Sequence, residues 1–221
     1  MTRLPSPLGI YGILDAGRLA PARLPEAAAA MAAEGVTVFQ VRAKDLPGGA
    51  FARLVRAVRA ALPSDAVLLV NDRADVARVT GADGVHLGDE DLPVADARRI
   101  LEEGGRGPRI IGFSTHSAGQ AACAVGVGPD YIGVGPIFAS TTKVTGRPAL
   151  GLDGLRKACE ATSLPVVAIG GVTLADVAEV RAAGASGIAM IADLLVDGEV
   201  EARTRRAVRA FAAATPAGRG G

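Results

Sequence analysis

The uncommon polar residues of this 221-residue chain sit directly after apolar runs. The only asparagine, Asn71, closes AVLLVND, and Lys44 and Lys143, two of three lysines against 21 arginines, follow similar runs. Around Lys44 the order is Gln40-Val41-Arg42-Ala43-Lys44. Alternate residues of a strand share a face, so Gln40, Arg42 and Lys44 point together. Two cations and an amide on one buried face require an anion. A diphosphate suits them, because Arg grips it as a fork and Lys as a point charge. An internal salt bridge with Asp45 or a neighbouring carboxylate would explain the same residues without a ligand.

Acids follow two further runs. Asn71-Asp72 ends one, and His86-Leu87-Gly88-Asp89-Glu90-Asp91 follows the other. Carboxylates on neighbouring strand ends converge on one hard cation, and Mg²⁺ takes one or two of them together with phosphate oxygens and water. Asp89 to Asp91 fit a helix N-terminus equally well. Ser114-Thr115-His116 and Ser140-Thr141-Thr142-Lys143, the latter entered through Gly135 and Pro136, offer hydroxyl donors to phosphate or carboxylate oxygens. His86 reads as a hydrogen-bonded structural histidine and His116 as a surface or cap residue. Gly170-Gly171 and Met190-Ile191-Ala192 end the last two runs, where backbone N–H groups and the N-terminus of a short extra helix can hold a second phosphate. A tight turn needing positive φ is the plainer account of the glycines. Two phosphate sites with one metal point to two phosphorylated substrates, one of which gives up diphosphate as an activated carbon group is transferred.

These residues need strand ends to hold them. Short apolar runs alternate with Ala-rich helical stretches along the chain, the pattern of repeated βα units and a parallel sheet. Eight strands are expected: Ile10 to Leu14, Val36 to Val41, Ala66 to Val70, Gly84 to Leu87, Arg109 to Phe113, Tyr131 to Ile137, Pro165 to Ile169 and Gly187 to Ile191. Helices are expected at Pro25 to Glu34, Gly49 to Ala61, Val94 to Glu103, Leu174 to Ala183 and Glu199 to Ala214, among others. Runs without polar alternation imply strands covered on both faces. Eight such units favour an α/β fold of the TIM (β/α)8 barrel type, in a single domain over residues 1–221, above an open doubly wound sheet; no GxGxxG follows the first strand.

Composition limits the partners. Acidic and basic residues nearly cancel, 23 against 24, and no run of like charge marks a nucleic-acid or membrane surface. Aromatics are 3% and Trp is absent, so the core must be built from Ala, Val, Leu and Ile. Cys123 and Cys159 show no metal-ligand spacing and read as ordinary core thiols. No apolar run reaches the roughly 18 residues of a membrane span and no leader pattern opens the chain, so a cytoplasmic protein with small-molecule partners is expected. The tail from about residue 215 reads as disordered.

Taken in order from Leu8 to Leu195, QVRAK, VND, DGVHLGDEDL, IGFSTH, DYIGVGPIFASTTK and PVVAIGGV together resemble the thiamine phosphate synthase family. That resemblance implies a TIM barrel joining hydroxymethylpyrimidine diphosphate to a carboxythiazole phosphate, with Mg²⁺, to give thiamine phosphate, diphosphate and CO₂. It implies that Gln40, Val41, Arg42, Ala43, Lys44, Asn71, Ser114 and Lys143 hold the pyrimidine diphosphate, with Arg42, Lys44 and Lys143 acting in catalysis. It further implies that Asp72 and Asp91 bind Mg²⁺, and that Ser140, Thr141, Thr142, Gly171, Ile191 and Ala192 hold the thiazole phosphate. The chain departs from the family pattern where Ala139-Ser140 replaces Pro-Thr, Asp89 replaces Gln and Ala192 replaces Ser. A related thiazole tautomerase often carries histidine where this chain has Pro136. A non-catalytic ligand-binding regulator on the same barrel is the remaining reading.

Overall fold

The computed structural model describes residues 4–103, 109–139 and 147–216. Eight parallel strands close into one barrel in chain order. They are β1 (Gly9–Asp15), β2 (Val38–Arg42), β3 (Val67–Asn71), β4 (Gly84–Leu87), β5 (Ile110–Thr115), β6 (Tyr131–Val134), β7 (Val166–Ala168) and β8 (Gly187–Met190). Closure is direct, with Gly9 opposite Gly187 and Gly12 opposite Met190. The surrounding helices are α1 (Leu24–Ala33), α2 (Gly48–Ala61), α3 (Ala74–Thr80), α4 (Val94–Glu102), α5 (Ala118–Val127), α6 (Gly151–Glu160), α7 (Val177–Ala182) and α8 (Val200–Ala213). This is the TIM barrel expected from the alternation of runs.

The two-residue period of the strands divides the core in two. Along β1, Tyr11 and Ile13 join Val38, Leu69 and Tyr131 in a cluster inside the barrel. Their neighbours Ile10 and Leu14 join Phe39, Val41 and Leu68 between the strands and the helices. Apolar side chains are thus buried on both strand faces, which is why the runs lack polar alternation. Helix α2 supplies the matching stripe, burying Phe51, Leu54, Val55 and Val58 at three- and four-residue spacing. Helix α5 is capped by Ser117, whose hydroxyl accepts from the Gln120 amide at 3.1 Å. Helix α8 returns to the first helix, where the Arg205 guanidinium donates to both Glu34 oxygens at 2.9 and 2.8 Å.

Several boundaries differ from expectation for local reasons. The run Tyr131 to Ile137 is strand only to Val134, because Pro136 has no N–H for the ladder and the chain turns there. Strand two begins at Val38 rather than Val36 and includes Arg42. Cys123 is exposed on α5 and Cys159 is partly buried on α6, both as free thiols, so Cys123 is not the core residue expected. Among the described residues no helix is long and apolar enough to cross a membrane. The last residues of the expected disordered tail, 217–221, lie outside the described residues.

Candidate active site

The carboxyl ends of the strands surround a cavity of about 330 Å³. Gln40 and Arg42 from β2, Asn71 from β3, His86 from β4 and Ser114 from β5 form one part of its wall; Gly170, Gly171, Ile191 and Ala192 form another. Parallel strands in a closed ring all end on one side, so residues far apart in sequence meet there.

Gln40 is 3% exposed, and its Nε2 donates to the Tyr11 hydroxyl at 2.8 Å. Arg42 donates from Nη1 to Asp15 Oδ2 at 2.7 Å, and the same carboxylate accepts from the Gly17 amide at 2.8 Å. The carboxylate beside Arg42 is therefore Asp15 at the end of β1, not Asp45. Gln40 and Arg42 share the inward face as expected. Lys44 stands two residues beyond the strand and outside the cavity wall, half exposed, with Nζ 3.5 Å from Asp72 Oδ2. Val41 and Ala43 belong to the outer cluster, so only their backbone can meet a ligand.

Asp72 follows β3 in the left-handed region, at φ 62°. An aspartate tolerates that conformation better than most residues, but at a cost that local structure must hold in place. The Asp72 amide donates to the His86 carbonyl at 2.9 Å, tying it to β4. From the loop after β4, Asp91 Oδ2 accepts from the Gly88 amide at 2.6 Å. Burial, then the hydrogen bond and charge of the adjacent Asp91, raise the Asp72 carboxyl above its ordinary value, against the pull of Lys44. Two carboxylates crowded in this way suit a divalent cation. Among the described residues no cluster of three metal-ligating side chains forms. The pair matches the sparse protein ligation of Mg²⁺, which takes its remaining oxygens from phosphate and water. Asp89 is engaged elsewhere, with Arg147 Nη2 at 2.5 Å and His116 Nε2 at 4.0 Å. Burial would raise its carboxyl, but the hydrogen bond and charge of Arg147 outweigh burial and hold it low.

On the opposite wall, Gly170 and Gly171 both have positive φ, 90° and 72°. A Cβ at Gly171 would lie 2.5 Å from the Phe138 carbonyl oxygen and 2.6 Å from that of Ala139. The turn alone accounts for these glycines, and it also brings their backbone to the cavity. After β8 there is one turn rather than an extra helix, with the Leu194 and Leu195 amides donating to the Ile191 carbonyl at 3.1 and 2.9 Å. Asp193 fastens this turn to the β7 loop, accepting from the Leu174 amide at 2.6 Å and from Arg203 at 2.8 Å. Ala139 lines the cavity, while Ser140, Thr141, Thr142 and Lys143 lie outside the described residues.

Sequence reasoning missed Asp15, Tyr11 and Tyr131. Asp15 carried a signal, an acid closing the apolar run of β1 as Asn71 closes that of β3. The tyrosines were legible only as strand residues. His86 is hydrogen-bonded as expected, through Nδ1 to Tyr131 and Nε2 to Ser114. His116 stands just before the α5 N-cap, its amide donating to Gln120 Oε1 at 2.6 Å, as a cap residue would; its side chain, though, is 15% exposed and lines the cavity, with Nδ1 donating to the Gly135 carbonyl at 2.6 Å.

Known proteins resemble this chain in sequence and fold. The thiamine-phosphate synthase of Anaeromyxobacter dehalogenans is 46% identical over 180 residues, covering 81% of this chain and 79% of that protein. The thiamine-phosphate synthase of Myxococcus xanthus is 39% identical over 206 residues, 93% of each chain. The solved structure of thiamine phosphate pyrophosphorylase from Pyrococcus furiosus superposes with a TM-score of 0.84 at 34% identity, covering 95% of this chain and 98% of that one. The sequence profile that matches residues 10–194, from β1 to the turn after β8, is that of thiamine monophosphate synthase, and the chain belongs to that family.

Proposed function

We propose that this protein is a transferase of thiamine biosynthesis, a thiamine phosphate synthase, joining hydroxymethylpyrimidine diphosphate to carboxythiazole phosphate. The observation that carries the reading is the single cavity lined by Gln40, Arg42, Asn71 and Ser114 on one part of its wall and by Gly171, Ile191 and Ala192 on another. One ligand-sized space with a polar side for a diphosphate and a backbone-lined side for a second phosphate suits a two-substrate coupling.

In this reading the C–O bond to diphosphate breaks, a C–N bond to the thiazole forms, and CO₂ is lost. Gln40, Asn71 and Ser114 hold the pyrimidine diphosphate, with backbone help from Val41 and Ala43. Arg42 and Lys44 offset the charge that grows on the departing group, joined by Lys143. Asp72 and Asp91 would hold Mg²⁺, which would supply further neutralisation of the diphosphate charge. Gly171, Ile191 and Ala192, with Ser140, Thr141 and Thr142, hold the thiazole phosphate so that its ring nitrogen faces the reacting carbon. No side chain needs to act as a nucleophile; the rate comes from positioning and preorganised charge. Pro136 lines the cavity where the tautomerase relatives often have histidine, so that reading lacks its base at this position. A cytoplasmic location belongs to the same proposal.

Purified protein supplied with both substrates and Mg²⁺ should form thiamine phosphate and release diphosphate in equal amounts, followed by chromatography. EDTA should stop turnover. Rearrangement of the thiazole phosphate without coupling would replace this reading with the tautomerase, and ligand binding without turnover would replace it with the regulator.

A further inference from the structure

An unbroken hydrogen-bond chain runs beneath the cavity. Gln40 Nε2 donates to the Tyr11 hydroxyl at 2.8 Å, and the Tyr11 and Tyr131 hydroxyls are 2.9 Å apart. The Tyr131 hydroxyl lies 2.8 Å from His86 Nδ1, and His86 Nε2 lies 3.0 Å from Ser114 Oγ. Gln40 and Ser114, the two ends, line the cavity, as does His86; the tyrosines between them are 1% and 0% exposed. The barrel makes room for the chain. A Cβ at Gly112 of β5 would lie 2.2 Å from a Tyr131 ring carbon and 2.4 Å from His86 Nδ1, and one at Gly133 of β6 would lie 3.2 Å from the His86 ring. Glycine weakens a strand interior, and here it marks close approach of neighbouring groups.

The direction of the chain follows from counting protons. Burial pushes both tyrosine hydroxyls above their ordinary range, so each keeps its single proton. The Gln40 amide already donates to Tyr11, so the Tyr11 proton goes to Tyr131 and the Tyr131 proton goes to His86 Nδ1. A neutral imidazole accepting at Nδ1 carries its proton on Nε2 and donates it to Ser114. The Ser114 proton, the Gln40 amide oxygen and the second hydrogen on Gln40 Nε2 remain for the cavity, and the bond to Tyr11 fixes which edge of the amide is the acceptor. No link can reverse alone, because that would leave a buried polar group unpaired beneath the site.

We infer that Tyr11, Tyr131 and His86 are positioning residues that set the hydrogen-bond polarity of the cavity floor, so that Gln40 presents an acceptor and Ser114 a donor, and the site selects a ring bearing an amino donor and a ring-nitrogen acceptor. This rests on the function proposed above, in which that ring is the aminopyrimidine. Its oxo analogue puts an acceptor against the Gln40 oxygen, and the amide flip that would relieve this requires every link to reverse together.

Two measurements test the inference. In ¹⁵N-histidine-labelled protein, with the His116 signal removed by His116→Gln, His86 should show an unprotonated Nδ1 and a protonated Nε2; the opposite tautomer overturns the stated polarity. In coupling assays, Tyr131→Phe removes one hydroxyl that touches no ligand. It should raise KM for the aminopyrimidine diphosphate about tenfold and lower the preference for amino over oxo ring by a similar factor, while KM for the thiazole phosphate stays within about twofold. A folded Tyr131→Phe protein that keeps the full ring preference, or that loses affinity for both substrates alike, overturns the inference. Should Tyr131→Phe not fold, His86→Gln, which can accept from Tyr131 and donate to Ser114, should keep the preference that His86→Leu loses; equal preference in the two variants also overturns it. A wild-type protein that forms no thiamine phosphate would refute the proposed function, while the tautomer measurement would still decide the chain.

Discussion

Replacing Asp15 with Asn should destabilise the free protein and at the same time enlarge its response to diphosphate. The carboxylate is 2% exposed and receives Arg42 Nη1 at 2.7 Å. Removing one partner of a buried ion pair costs about 3–5 kcal/mol, because the other charge is left uncompensated. The Arg42 side chain is 20% exposed and lines a cavity that water enters, so the lower end applies, about 3 kcal/mol. At roughly 2–4 °C per kcal/mol for a chain of this size, Tm should fall by about 6–12 °C. Inorganic diphosphate with Mg²⁺ can take the place of the lost anion beside Arg42. Scanning calorimetry should therefore find the diphosphate-induced rise in Tm several degrees larger in Asp15→Asn than in the wild type. A Tm within about 2 °C of wild type would show that the pair contributes little, and an equal diphosphate response in both proteins would remove Arg42 from the anion site.

Asp72→Ala and Asp91→Ala should each weaken Mg²⁺ binding, measured by titration calorimetry, and the double variant should lose much less than the sum, because two ligands of one ion act as a unit; strictly additive losses would place them on separate ions. Gly171→Ala forces a Cβ against two carbonyl oxygens at positive φ, so it should raise KM for the thiazole phosphate well above tenfold with a smaller change for the pyrimidine diphosphate. The bidentate hydrogen bond from Arg205, and then its charge, hold the Glu34 carboxyl below its ordinary value. Glu34 therefore favours the folded state above the ordinary carboxylate pKa, and this contribution fades as pH falls through the lowered value; acid-unfolding curves of Glu34→Gln should lack that component.

The ring of strands was legible because parallel strands buried on both faces leave uninterrupted apolar runs, and Gln40 and Arg42 were legible because a two-residue period survives in any strand. For Lys44 the alternation was no guide, since the strand ends at Arg42 and Lys44 reaches Asp72 from beyond it. Asp15 was overlooked for a different reason: its partner lies 27 positions away and becomes a neighbour only when β1 and β2 pair in register. Tyr11 and Tyr131 are 120 positions apart, and nothing local to either run shows that the two hydroxyls meet. Turn chemistry explains Gly170 and Gly171 whether or not a ligand is present, so their sequence could never separate the two accounts. Closure decides what sequence spacing cannot.

The direct pairing of β1 with β8 also bears on how the chain comes to have a site at all. The polar part of the cavity wall comes from residues before 117 and much of the backbone-lined part from residues after 132, so a nascent chain carries one part long before the other exists. Until Gly187–Met190 zips against Gly9–Gly12, β1 has an unpaired edge, and the last strand must find the first across nearly the whole chain. Contacts that distant slow folding, and open edges of incomplete sheets invite pairing with other chains. A ribosome stalled before residue 187 would therefore release an open sheet that binds neither substrate well and is prone to aggregate. The same seam makes competence nearly all-or-none: once the final strand is in place, both parts of the wall come together in one step.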